Sequence, residues 1–101
     1  MNATLERPDI RFLTSGEVTG AQRAEAERAV RAALHGTGAT SVQVTLSIVA
    51  DPSLPRPALA RAVAELDGQR LRAQAAAPSL EEAIGLLRHR LAVRASYQRA
   101  V

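Results

Sequence analysis

The chain has 101 residues, with 13 arginines and no lysine against 10 acids, a net charge of +3 and an apolar share of 47%. That length has room for one domain with one core, and that apolar share is ordinary for a globular protein, which excludes wholesale disorder. Cysteine is absent, so disulfides, thiolate zinc sites and cysteine nucleophiles are excluded. Met1 to Ile10 carries Glu6 and Asp9 and no apolar run, unlike a signal peptide. The least charged stretch, Ala39 to Ala50, is too short and too polar to span a bilayer. The expectation is a single cytoplasmic domain over residues 1–101, with residues 1–8 flexible.

Phe12 and Tyr97 are the only aromatics, so Leu, Val, Ile and many Ala must build the core. Small side chains fill space only where layers approach closely, which favours helices lying tight against a sheet. Asp9 to Thr14 alternates in hydropathy and predicts the first strand. Thr19 then opens a helix, with Gln22 completing a capping box. Ala26, Val30, Ala33 and Leu34 recur at helical spacing, and Gly36 and Gly38 end the helix after Leu34 or His35. Ser41 to Val49 is a strand with Val42, Val44, Leu46 and Ile48 on one face. Asp51 to Pro57 holds three prolines and reads as a loop.

Ala58 to Ala77 admits two readings. Ala, Leu, Arg and Glu are helix formers, and Pro57 suits the first position of a helix that would end at Asp67-Gly68. The same Asp-Gly also suits a type I′ hairpin turn. Pairing outward from it sets Glu65 opposite Arg70, Val63 opposite Arg72 and Arg61 opposite Gln74. That gives one polar, Arg-bearing face and one of small apolar residues. Ser79 and Glu82 form a capping box that starts the last helix. Leu80, Ala83, Ile84, Leu87 and Leu91 are its buried stripe, and it runs to about Gln98.

From Gly68 onward the chain resembles the closing half of the hibernation-promoting factor and ribosome-associated inhibitor family. The matching positions are Gly68, Leu71-Arg72-Ala73, Ala83-Ile84 and Arg90-Leu91, with Glu17-Val18-Thr19 and Arg23 matching the start of the first helix. Glu81 and Val93 depart from it, standing where the family often has an aromatic and a basic residue. The resemblance is to the short form, the N-terminal-type domain alone. It implies the hairpin, and with it an α+β fold: a βαβββα two-layer sandwich whose four-stranded sheet carries both helices on one face. It further implies binding to ribosomal RNA of the small subunit in the decoding channel, where it silences idle ribosomes.

After Glu82 no acid occurs, while Arg88, Arg90, Arg94 and Arg99 do. Such a positive edge is the footprint of a polyanion partner. Arg90 and Arg94 are one helical turn apart and share a side with Tyr97, Leu86 and Val93, which the core does not explain. The expected RNA-binding set is Arg88, Arg90, Arg94 and Tyr97, extended by Arg23, Arg28 and Arg31 of the first helix. Arg61, Arg70 and Arg72 read instead as an open-face set in which Glu65 pairs with Arg70. His35 and His89 lack a carboxylate at ligand spacing, so no metal is expected. Glu81-Glu82 is explained by capping and the helix dipole, and Gly36-Thr37-Gly38 lacks the rest of a phosphate-binding loop. No catalytic constellation, cofactor, small-molecule substrate or membrane partner is therefore expected. The alternatives are a protein–protein module that homodimerises through a sheet edge or the Leu86, Val93, Tyr97 stripe, and a general double-stranded-RNA binder.

Overall fold

The computed structural model describes residues 8–100, with side chains through Gln98, so most of the tail expected to be flexible lies outside the described residues. Its elements follow the order β1 (Asp9–Ser15), α1 (Gly20–Ala33), β2 (Ser41–Ile48), β3 (Ala58–Leu66), β4 (Gln69–Ala77) and α2 (Leu80–Ala100). They form a four-stranded sheet in the order β1-β2-β3-β4, parallel between β1 and β2 and antiparallel elsewhere. Parallel neighbours need a crossover, and α1 supplies it.

Local chemistry places the element ends. Thr19 Oγ1 accepts the Gln22 backbone N–H at 3.1 Å, and Gln22 Oε1 accepts the Thr19 N–H at 2.9 Å. Ser79 Oγ accepts the Glu82 N–H at 3.2 Å. The return bond there runs from the Ser79 hydroxyl to Glu82 Oε1 at 3.1 Å, where the sequence predicts a bond to the Ser79 backbone. A hydroxyl can accept and donate at once, so one side chain serves both ends of the contact. At the β1 exit, Gly16 has φ 83° and a Cβ there would sit 2.1 Å from the Ile48 carbonyl oxygen. Only glycine meets both conditions.

Ala58 to Ala77 is the hairpin. Asp67 (φ 54°) and Gly68 (φ 75°) take the left-handed conformations of a type I′ turn. The register pairs Glu65 with Arg70, Val63 with Arg72 and Arg61 with Gln74, as the alternation predicts. Local helix propensity is overridden because the inward face of the hairpin buries Ala58, Ala60, Ala62, Ala64 and Leu66 with Leu71, Ala73, Ala75 and Ala77. Those small residues meet the large ones of α2: Leu80, Ile84, Leu87 and Leu91 are at most 2% exposed. Alanine floor against leucine ridge lets the helix settle close to the sheet, as the shortage of aromatics requires.

α2 runs back antiparallel along the edge strand β4. Arg90 Nη1 donates to the Gln74 carbonyl oxygen at 2.8 Å, and the amides of Gln98 and Gln69 are bonded at the far end. The two lengths match: strand β4 at about 3.3 Å per residue and the Leu80 to Gln98 part of α2 at about 1.5 Å per residue both span nearly 30 Å. On its other flank α2 meets α1, where Gln22 Nε2 donates to Glu81 Oε2 at 3.1 Å. That bond, and then the Glu81 backbone N–H, hold the Glu81 carboxyl below the usual glutamate range.

Candidate nucleic-acid interface

With both helices on one face, the opposite face of the sheet carries no other element among the described residues. Its rows follow from the register: Asp9, Ser41, Glu65 and Arg70; then Arg11, Gln43, Val63 and Arg72; then Leu13, Thr45, Arg61 and Gln74. Three strands thus bring Arg11, Arg61, Arg70 and Arg72, far apart in sequence, onto one surface.

Helix geometry adds the rest. Glu81 faces α1, and Arg90, nine residues further, lies half a revolution round the helix, where it reaches β4. Arg94 and Tyr97 continue that flank. That sheet face and this flank together line one open groove of about 1440 Å³. Small-ligand sites run to roughly 300–1,000 Å³ and are enclosed. The groove is larger and open to one side.

Among the described residues six arginines line it, Arg11, Arg61, Arg70, Arg72, Arg90 and Arg94, with His89 and only two acids, Asp9 and Glu65. Glu65 accepts from Arg70 at 3.1 Å, as the sequence predicts, which removes that arginine from the free set. The Arg11–Asp9 pair is 3.7 Å apart and exposed on both sides, so water competes for it and it is worth little. Arg61, Arg72 and Arg94 form no ion pair among the described residues. Arg90 spends one N–H on Gln74, which fixes its guanidinium at the groove wall and leaves the other donors for a ligand. Tyr97 is 72% exposed and Val93 41%, interleaved with Arg90 and Arg94.

The residues expected from sequence therefore separate. Arg90, Arg94 and Tyr97 are together in the groove; Arg88, seven residues after Glu81, lies back on the flank nearer α1. Arg23 and Arg28 are exposed on α1 and do not line the groove. Arg31 is held by Glu27 at 3.0 Å and donates to the Pro8 carbonyl at 3.3 Å, so it ties α1 to the start of β1. The spacing Glu27-x-x-x-Arg31 was the sequence signal for that pairing. The side chain of Arg99 lies outside the described residues. Conversely, Arg11, Arg61 and Arg72 belong to the groove, although sequence alone assigned them no ligand. Their convergence with α2 depends on strand order and on how α2 is seated, neither of which is local.

No cluster of His, Asp and Glu suited to a metal ion occurs among the described residues, and none of their helices is long and apolar enough to cross a membrane.

No family model and no curated protein matches the chain. Solved structures do share its fold. A ribosomal subunit interface protein from Coxiella burnetii superposes with a TM-score of 0.77 at 19% identity, over 92% of this chain and 99% of that one. The N-terminal domain of Thermus thermophilus Protein Y gives 0.71 at 22% identity, over 88% and 97%.

Proposed function

We propose that this protein is a non-enzymatic translation inhibitor that binds the small ribosomal subunit, laying its arginine groove on ribosomal RNA in the decoding channel. The observation that carries the reading is the gathering of six arginines against two acids, with exposed Tyr97, in one open groove. Arginine neutralises phosphate with a planar fork that also stacks on bases. The fold supports the same reading, because a structure that shares it is described as a ribosomal subunit interface protein. A ribosome-binding protein of this kind works in the cytoplasm.

The test is co-sedimentation with purified small subunits at graded salt. Among the described residues Arg11, Arg61, Arg72, Arg90 and Arg94 are not held in close ion pairs, so about five phosphate contacts and a log–log salt slope of roughly −3 to −5 are expected. Arg90→Glu/Arg94→Glu abolishes pelleting at moderate salt. A slope near zero, or no pelleting at low salt, refutes the proposal.

A second reading rests on the apolar stripe of α2. Leu86 and Val93, each 41% exposed, lie beside the β4 edge and suit self-association. Concentration-dependent sedimentation of the protein alone, with no ribosome association, favours that reading.

A further inference from the structure

The arginine groove does not end at Arg90. A second, smaller depression of about 450 Å³ adjoins the first, shares Gln74 and Arg90 with it, and continues along the same flank of α2 to Leu86 and Glu82. Its floor is the end of β4, from Gln74 to Ala77, with Leu59 beside it, and Arg56 stands at its far side.

Arg56 is presented rather than trailing. It sits in the loop between β2 and β3, where Pro52, Pro55 and Pro57 limit the backbone. The loop is also bonded internally. The Asp51 carboxylate accepts from the Ser53 N–H at 3.0 Å and hydroxyl at 2.8 Å, Leu54 N–H donates to the Asp51 carbonyl at 3.1 Å, and Val49 N–H donates to Pro57 at 3.0 Å. Arg56 has no ion-pair partner among the described residues. Among the described residues the depression holds one acid, Glu82, which accepts from the Ser79 hydroxyl at 3.1 Å, against two arginines, Arg56 and the shared Arg90.

Resting on the RNA reading above, we infer that Arg56, Leu59 and Leu86 form a second subsite, which takes the continuation of a single RNA strand whose first part lies in the arginine groove. Charge selects the polyanion: Arg56 is the next free cation beyond Arg90. The apolar residues select its state. A duplex hides its base faces in the stack and offers this wall only sugar and phosphate, which Leu59, Leu86, Val93 and Tyr97 cannot use. A single strand offers unstacked bases to apolar and aromatic side chains as well as phosphates to arginine. From Tyr97 to Leu86 the wall is about 16 Å long at 1.5 Å per residue, so a strand must be several nucleotides long before it reaches Arg56.

The experiment is fluorescence anisotropy with unstructured pyrimidine RNA of about four and about twelve nucleotides, within the range of known single-strand site sizes, and with a twelve-base-pair duplex. Wild type binds the long strand more tightly than the short strand or the duplex. Arg56→Ala acts on the long strand alone: losing one phosphate contact lowers the salt slope by about 0.7, so a fourfold rise in salt costs roughly 2.5-fold less affinity than in wild type. Arg94→Glu weakens both lengths. An Arg56→Ala protein indistinguishable from wild type on the long strand overturns the subsite, as do equal affinity for duplex and single strand and failure to bind free RNA at all. Pelleting with small subunits separates the two proposals. If it persists while Arg56→Ala is silent, only the subsite fails. If the strand results hold and pelleting is absent, the ribosomal reading fails and the subsite stands.

Discussion

Ala62 tests whether α2 lies as close to the sheet as the alanine floor implies. It is fully buried on β3, between Val44 of β2 and Ala73 of β4 on the same inward face. Leucine at this position adds three carbons where the helix ridge leaves no room, and overpacking of this kind costs about 1–3 kcal/mol. Unfolding entropy near 2.1 cal/mol/K per residue gives roughly 0.2 kcal/mol/K for a chain of this length, so Ala62→Leu lowers Tm by about 5–15 °C. The control is Ala76→Leu, on the exposed face of β4 opposite Leu59. That change stays within about 0.5 kcal/mol, or about 2–3 °C. Thermal unfolding followed by far-ultraviolet circular dichroism measures both. Equal shifts for the two variants, or a higher Tm for Ala62→Leu, refute the close-packed layer.

Three further outcomes follow from the described contacts. Gly16→Ala meets the Ile48 carbonyl and a left-handed φ at once, so it destabilises by more than the roughly 1–3 kcal/mol of the strained backbone alone, whereas Gly36→Ala, with nothing near its Cβ, shows only the strain; urea titration ranks them. Gln22→Ala removes the main cause of the lowered Glu81 pKa, and an NMR titration should find that carboxyl moved up toward the usual glutamate value. Because the folded pKa lies below the unfolded one, the Glu81-linked stabilisation is present above the unfolded value and disappears as pH falls through the folded value, so the gap between wild type and Gln22→Ala narrows in acid to the pH-independent loss of the Thr19 N–H bond. Arg31→Ala leaves ribosome pelleting unchanged, since Arg31 is committed to Glu27 and Pro8 away from the groove; a loss equal to that of Arg94→Glu would move the RNA face to α1.

The elements were legible where local chemistry sets them. Thr19 with Gln22, Ser79 with Glu82 and the alternation of Ser41 to Ile48 each specify a helix start or a strand from a few neighbouring residues. Ala58 to Leu66 was not of that kind. Its residues prefer a helix in isolation, and only the Asp67-Gly68 turn, pairing on both sides and the leucine ridge of α2 make it a strand. The groove was half legible. Arg90, Arg94 and Tyr97 share one flank by helical spacing, and Arg61, Arg70 and Arg72 share one face by strand alternation. That the flank and the face are the same wall depends on α2 running along β4, which no local window contains. The extension of the site onto α1 rests on the charge of Arg23, Arg28 and Arg31 and on the family match at Arg23, and Glu27 pairs Arg31.

Arg90 joins the stability of the fold to its proposed use. β4 is an edge strand, and an edge strand offers free backbone groups to any other strand that meets it. Arg90 occupies the Gln74 carbonyl in the middle of that edge, and α2 runs alongside it. The helix that guards the edge is therefore the wall of the groove, and the guanidinium that caps the carbonyl lines both depressions. Self-association through β4 and RNA binding then require the same surface in incompatible states. Pairing a second chain to β4 displaces Arg90 from Gln74 and fills the space in which the strand would lie. On this account RNA should dissociate any dimer formed through β4. Arg90→Ala, which frees the carbonyl and removes a cation, should shift the balance toward self-association and away from RNA at once.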